Sequence, residues 1–166
     1  MAKTLLIATA ELKTYSNISG SMDSDKFIQY IAIAQDIHIQ RILGTDLLEK
    51  LQSDVGASSL AGAYLTLVQD WVTPALIHWA LVEALPMMTV TVDNGGAFRF
   101  APENAQPLQK EEVDALVKQE EAFATYYEKR LIDYLCNNTS SFSEYTSNTD
   151  EDVDPRTSSN FCNWVL

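Results

Sequence analysis

The sequence predicts a mainly α-helical bundle of about five helices, with one β-hairpin and a long extended C-terminal arm. Over most of the chain, apolar residues recur with the ~3.6-residue period of an α-helix. One stretch, MTVTVDNGGAFRF, changes to the alternation of a strand, and all periodicity stops after Asn138. With 166 residues, 46% of them hydrophobic, the chain can form one domain with its own core. We therefore expect a helical domain over residues 1–139 and an acidic arm over residues 140–166.

The first three predicted helices lie in residues 9–54. A short helix is expected over residues 9–15, where AELKTY supplies good helix formers. Asp23 or Ser24 is expected to cap the second helix, which runs to Leu43. Its apolar residues leave only a narrow polar face, so we expect protein to surround it almost completely. Gly44 is expected to end this helix, and Thr45 to cap the third, DLLEKLQSD.

The fourth predicted helix has the strongest signal in the chain, an apolar stripe from Leu60 to Val82. Pro74 lies inside the stripe. Because proline lacks an N–H and clashes with the preceding turn, the sequence predicts a kink there, or a restart capped by Thr73. Pro86 is expected to stop this helix, and a fifth follows over residues 110–138.

Between the last two helices, residues 89–100 predict a β-hairpin. Valines and phenylalanines alternate with other residues on either side of DNGG, which suits a tight turn. Because an isolated two-stranded ribbon is only marginally stable, its apolar face must rest on this protein's own helices or on another subunit. Both arrangements remain open. In the second, the predicted contact residues are Phe98, Arg99 and Phe100.

The C-terminal arm combines a composition that does not fold alone with an apolar ending. Residues 137–166 hold five acidic side chains, one basic side chain and many Ser, Thr and Asn residues. The chain nevertheless ends in NFCNWVL, which is an aggregation hazard unless something covers it. A terminus without function is one interpretation, and docking on another molecule is the favoured one. The predicted anchors of the arm are Phe142, Tyr145, Phe161, Trp164, Val165 and Leu166.

Charge and composition limit the function classes. The formal net charge is −12, whereas a nucleic-acid grip needs clustered Lys and Arg. An acidic surface would instead let DNA pass without sticking. No apolar run reaches the ~18 residues of a membrane span, so no membrane partner is expected, and the N-terminus does not resemble a signal peptide. Cys136 and Cys162 lack CxxC spacing and are expected to be reduced, structural thiols.

No sequence pattern in the chain predicts catalysis. Neither His38 nor His78 has the Glu three residues earlier that a di-iron helix supplies, so we expect hydrogen-bonded structural imidazoles. The run DEDVD lacks the glycine and the final glutamate of a calcium-binding EF-hand loop. Nucleotide-binding and hydrolase motifs are also missing from the sequence. We therefore expect no enzyme activity, no cofactor and no metal.

Four strings carry a resemblance to a known family: KTYSNISGSMDSDKFIQYIAIAQDIHIQRILGTDLLEKL, TPALIHWALVEALP, VDNGGAFRF and RLIDYLCNNTSSFSEYTSNTDEDVDP. In that order they resemble small tailed-phage proteins grouped with head-tail connectors, also called adaptor or head-completion proteins, of the type found in phages of Bacteroidetes-like hosts. The resemblance covers nearly the whole chain and rests on ordinary residues, without any catalytic motif.

The resemblance implies a structural virion protein at the head-tail junction, made in the cytoplasm of the bacterial host. Connectors of this type form a homo-oligomeric ring, usually of twelve copies, beneath the portal protein. On their other side they meet a tail protein or a second connector, and DNA passes through without specific binding. From another class, an acidic protein-binding module, either a DNA mimic or an inhibitor of a host factor, is the alternative that the charge leaves open.

Overall fold

A computed structural model describes residues 4–16, 25–88, 90–93, 96–99, 109–147 and 152–156, with the two strand segments, 90–93 and 96–99, described by their backbone. The prediction of a mainly helical bundle is confirmed. The elements are α1 (Thr9–Thr14), α2 (Asp25–Ala34), α3 (Gln40–Leu43), α4 (Thr45–Gly56), α5 (Gly62–Thr66), α6 (Thr73–Met88), β1 (Val90–Asp93), β2 (Gly96–Arg99), α7 (Lys110–Asn137) and α8 (Ser143–Thr146).

Helix α6 lies at the centre of the bundle, because it packs on α2 from one direction and on α7 from another. Helices α6 and α7 run antiparallel, since His78 contacts Glu120 near the start of α7 whereas Trp71, just before α6, stacks on Tyr134 near its end. Nearly every helix contributes to one apolar core. Its largest fully buried side chains include Leu12, Phe27, Ile31, Ile42, Leu51, Leu67, Leu76, Leu131 and Phe142.

Two wider π-helical turns lie within long helical runs of the chain. One spans Leu67–Val72 and joins α5 to α6 just before Pro74. A proline ring collides with the carbonyl one turn earlier, and a wider turn relieves that collision. The predicted restart capped by Thr73 is therefore wrong, because the chain passes Pro74 without a break. The prediction that Pro86 stops the helix is also wrong, since α6 continues to Met88 with Pro86 inside its last turn.

The second π-helical turn spans Gln35–Ile39 and connects α2 to α3. The Gln35 side chain is fully buried in this turn. Its Oε1 accepts a hydrogen bond from the Leu6 N–H at 2.9 Å, and its Nε2 donates to the Thr4 carbonyl at 3.2 Å. A buried amide is tolerated when its donor and acceptor are both satisfied. This side chain therefore holds the N-terminal segment against the bundle.

A glycine with positive φ separates α3 from α4. Gly44 has φ 77°, and its N–H donates to the Gln40 carbonyl at 2.8 Å, so it ends α3 as predicted. Thr45 does not cap α4 with its side chain, contrary to the prediction. Its hydroxyl instead contacts residues from the C-terminal part of the chain, as described below.

Strands β1 and β2 pair antiparallel, with Val90 opposite Arg99 and Asp93 opposite Gly96. The side chains of these strands lie outside the described part of the chain, and so does Phe100. The surface on which this segment rests, and the partner role of Phe98, Arg99 and Phe100, therefore stay predictions.

Candidate interaction surfaces

The first part of the predicted arm belongs to the helical domain. After α7, a single 3₁₀ turn (Thr139–Ser141) leads into α8. Phe142 is fully buried, with its ring edge-on to Tyr64 at 5.4 Å between centroids, and Tyr145 is also buried. The prediction that these two residues are anchors for a partner is wrong, because this chain's own core already covers them. A single turn of helix is too short to show periodicity, so the sequence alone does not place these residues in the core.

Residues 152–156 form a clasp on the junction between α3 and α4. The Thr45 N–H donates to the Val153 carbonyl at 3.1 Å, and the Val153 N–H donates to the Thr45 hydroxyl at 3.2 Å. The Gln40 amide donates to the Asp152 carboxylate at 2.9 Å. Because backbone groups at a helix boundary lack helical partners, a passing segment can satisfy them. The boundary predicted at residue 139 is thus not where packing ends, since the clasp is part of the domain.

An ion pair holds the far end of the clasp. The Arg156 guanidinium donates to the Glu128 carboxylate on α7 at 2.9 Å, and Arg41 lies 3.7 Å from the same carboxylate. The Glu128 side chain is only 9% exposed, so two cations compensate a nearly buried charge. The Arg156 carbonyl also accepts a hydrogen bond from the Tyr145 hydroxyl at 3.3 Å. The clasp therefore joins α3, α7 and α8.

A second polar contact fixes α8 on α5. The Tyr64 hydroxyl donates to the Glu144 carboxylate at 2.7 Å. Burial raises the pKa of Tyr64, and the hydrogen bond to the Glu144 carboxylate raises it further. Burial on its own would raise the pKa of Glu144, but the hydrogen bond from Tyr64 and those from the backbone and Ser143 outweigh it, so this pKa is lowered. Nearby Lys50 acts in the same direction.

Three side chains on one face of α2 and the following π turn form a stripe, which we call the isoleucine stripe: Tyr30, Ile33 and Ile37. Spacings of three and four residues place them on the same side of the helix. Ile33 is 39% exposed and Ile37 is 53% exposed, whereas Tyr30 is half-buried. The sequence predicts a helix almost completely surrounded by protein. Within the described residues, however, this side is open.

A second exposed apolar region, the aromatic surface, consists of Tyr15, Phe123 and Tyr126 above the rings of His78 and Tyr127. The three outer side chains are 69%, 42% and 58% exposed. His78 stacks on Tyr127 with 5.2 Å between centroids, and Phe123 leans on His78 at 5.4 Å. The helical spacing of Phe123 and Tyr127 with the other apolar residues of α7 predicts a place in the core for both, but spacing alone cannot show which side a neighbouring helix covers.

Two grooves flank the aromatic surface, and both are lined by Tyr15 and His78. The larger has a volume of about 660 Å³, and the smaller one of about 400 Å³. The lining carries carboxylates, with Glu11 and Asp70 in the larger groove and Glu120 in the smaller one. A surface of exposed rings beside carboxylates is suited to an apolar segment that also carries a cation.

Both histidines bond to glutamates, which confirms that they are hydrogen-bonded imidazoles. His78 Nδ1 lies 2.7 Å from Glu120, and His38 Nε2 lies 3.0 Å from Glu83. The His38 ring stacks on Trp79 with 3.7 Å between centroids. Among the described residues, neither His38 Nδ1 nor Trp79 Nε1 has a hydrogen-bond partner.

In the part of the chain that the structure describes, no three His, Cys, Asp or Glu side chains form a group that could hold a metal ion. Over the same residues, no helix is long and apolar enough to cross a membrane. The remaining predicted anchors, Phe161, Trp164, Val165 and Leu166, lie outside the described residues, as does Cys162.

Comparison with known proteins assigns a family without a known activity. Residues 39–154 match the model of the family of unknown function DUF6712, and the chain belongs to that family. The matched region begins at the last residue of the π turn that precedes α3 and ends within the clasp. No curated protein and no solved structure matches the chain.

Proposed function

We propose that this member of the DUF6712 family is a structural subunit of a tailed-phage head-tail connector. In this proposal, copies of the chain assemble into a ring, with twelve as the expected number, beneath the portal protein. The ring links the capsid to a tail protein or a second connector, and DNA passes through it.

The observation that carries the proposal is the aromatic surface. Tyrosine and phenylalanine side chains that are 42–69% exposed, grouped beside two grooves, are typical of protein-protein contact sites. Phe123, His78 and Tyr127 are in ring contact across the packed pair of α6 and α7, so this part of the surface is formed before any partner arrives. The sequence resemblance to connector proteins then supplies the kind of assembly.

A closed ring needs two different patches, because each copy presents one patch to the copy before it and another to the copy after it. We propose the predicted hairpin as the second patch. Its sequence contains two phenylalanines and an arginine, Phe98, Phe100 and Arg99, which are residue types that suit exposed rings beside carboxylates. Opposite charges on the two patches would also set their register.

The net charge of −12 is consistent with a wall around a DNA channel. A duplex carries one negative charge per ~1.7 Å of its axis, and an acidic wall repels it at close range. Repulsion of this kind lowers friction on moving DNA and needs no sequence-specific contact.

The proposal is tested by mixing the purified full-length chain with the portal protein encoded by the same genome. Mass photometry and electron microscopy of the mixture are expected to show a closed ring of this chain on the portal. Tyr15→Ala combined with Phe123→Ala should abolish the ring, because both exposed rings are lost. Ile28→Ala is the matched control, since Ile28 is 45% exposed on α2, belongs to neither proposed patch and should have no effect.

Two results contradict the proposal. One is a chain that never binds the portal, either as single copies or as a ring. The other is a ring that forms equally well with the Tyr15→Ala, Phe123→Ala double variant while circular dichroism shows both proteins folded.

The charge also favours a second candidate, an acidic module that occupies the DNA-binding surface of a basic protein. Such a module would displace DNA from its target and would not join a ring. The same portal experiment separates the two candidates, because only a connector binds the portal and raises the mass of the complex.

A further inference from the structure

Arg130 is an exposed arginine on α7 whose guanidinium contacts aromatic rings. Its Cζ lies over the Trp71 ring at 5.0 Å from the centroid and over the Tyr126 ring at 5.9 Å. Both distances lie within the ~6 Å range of a cation–π contact. Because a ring covers a face of the planar guanidinium, the N–H groups in its plane remain available to an acceptor.

Both rings that Arg130 contacts are packed on other rings. Trp71 stacks on Tyr134 with 4.4 Å between centroids, and Tyr126 meets Tyr127 edge-on at 5.3 Å. Tyr126, Arg130 and Tyr134 follow one another at intervals of four residues, so they lie on one side of α7. We call the row formed by Tyr126, Arg130, Trp71 and Tyr134 the arginine platform. A guanidinium held on rings loses less conformational freedom when it binds an anion.

Arg130 differs from the other two arginines whose side chains the structure describes. Arg41 and Arg156 share the Glu128 carboxylate, at 3.7 Å and 2.9 Å. Among the described residues, no carboxylate lies within ion-pair distance of Arg130. Because the chain has 23 acidic and only 11 basic residues, an arginine without a carboxylate partner is unexpected. Its charge is therefore available to a partner molecule.

We propose that the arginine platform binds a carboxylate of a second copy of this chain. Phosphates of a DNA duplex suit the platform poorly, because a net charge of −12 repels nucleic acid. The same charge makes two copies repel each other, so a contact between them needs a cation opposite a carboxylate.

The platform also extends the surface that is proposed to join copies, because Tyr126 belongs to both the platform and the aromatic surface. An arginine beside tyrosine and tryptophan is the combination of residue types that most often dominates the energy of a protein-protein contact. This inference rests on the part of the proposed function in which copies meet at the aromatic surface, and it does not involve the portal.

Sedimentation velocity of the full-length chain over a concentration series tests the proposal. At physiological ionic strength, which screens long-range repulsion more than contact pairs, the chain is expected to self-associate. Arg130→Gln should weaken this association by roughly 10- to 100-fold, as the loss of a hot-spot arginine does. Arg130→Lys keeps the charge but loses the planar fork of donors, so it should also weaken association, by a smaller factor.

Lys129→Gln is the matched control, because it removes the same charge from the neighbouring residue. Lys129 is also exposed on α7, and at ~3.6 residues per turn it points about 100° away from Arg130. This variant should leave self-association unchanged. Circular dichroism verifies that every variant is folded, and fluorescence anisotropy with a labelled short DNA duplex tests phosphate as the alternative anion.

Three results overturn the proposal. One is a chain that stays monomeric at every concentration. Another is a loss of association that is no larger for Arg130→Gln than for Lys129→Gln, since net charge would then explain it. The third is binding of the duplex that Arg130→Gln abolishes, which would assign the platform to phosphate.

The connector proposal and this inference fail separately. A chain that self-associates through Arg130 but never binds the portal contradicts the connector alone. A ring that forms on the portal equally well with Arg130→Gln contradicts the role of the arginine platform alone.

Discussion

Replacing Phe142 by alanine should strongly destabilise the isolated protein. The Phe142 ring is fully buried, edge-on to Tyr64 at 5.4 Å and tilted against Tyr134 at 6.1 Å. A buried Phe→Ala change costs about 3–5 kcal/mol through lost transfer energy and the cavity that remains. For a chain of this size, each kcal/mol lowers Tm by roughly 2–4 °C, so a fall of about 6–20 °C is expected. If Phe142 were exposed in the isolated chain and buried only by a partner, the substitution would hardly change the Tm of the isolated protein.

Urea unfolding followed by circular dichroism measures this loss directly. Phe123→Ala is the matched control, because Phe123 is the same residue type but 42% exposed. Partial burial predicts a loss of about 1–1.5 kcal/mol for this control. A loss below about 1 kcal/mol for Phe142→Ala, or equal losses for the two variants, would refute the assignment of Phe142 to the protein's own core.

Three further predictions concern the same region of the molecule. Because the pKa of Glu144 is lowered in the folded state, its contribution to the free energy of unfolding is present above its unfolded pKa of about 4.3 and is lost as pH falls through the folded pKa. Tyr64→Phe should therefore raise the pKa of Glu144 in an NMR titration and weaken the acid dependence of stability. An unchanged titration would show that the hydrogen bond does not form. Glu128→Gln should cost about 1–3 kcal/mol in urea unfolding and expose the clasp to proteolysis, because the carboxylate that Arg156 and Arg41 share becomes a neutral amide. Clasp cleavage at the wild-type rate would contradict this. Gly44→Ala should cost about 1–3 kcal/mol in thermal unfolding, since a φ of 77° with a ψ of 166° is a conformation that essentially only glycine adopts, and a neutral result would argue against that backbone conformation.

Most of the helical framework could be predicted from the sequence because it depends on local patterns. The starts and ends of α1 and α7 agree with the predictions to within about two residues, which is the usual uncertainty of helix boundaries. Gly44 was predicted as a helix end for the same local reason, since a positive φ favours glycine.

The wrong predictions share a different cause. A restart at Thr73 and a stop at Pro86 were expected, but a π turn lies just before Pro74 and the helix continues without a restart, and Pro86 lies inside the last turn of α6. Thr45 was expected to cap a helix, but its hydroxyl instead accepts a hydrogen bond from the Val153 N–H, more than a hundred residues later in the chain. Local preference is a weak guide wherever a distant part of the chain offers a partner.

The aromatic surface shows the same limit at the candidate site. Periodicity identifies the apolar side of α7 but cannot tell how much of it a neighbouring helix covers, so Phe123 was placed in the core. The grooves beside it form where α1, α6 and α7 meet. Contacts between these helices cannot be seen in any local sequence pattern.

The sequence by itself determined where the helices run, that one core can form, and that the chain is strongly acidic, because these properties depend on neighbouring residues and on composition. Only the tertiary structure decided which apolar side chains stay exposed and that Phe142, Tyr145 and residues 152–156 belong to the domain. Burial depends on what lies across from a side chain, and in a folded chain that neighbour comes from a distant part of the sequence.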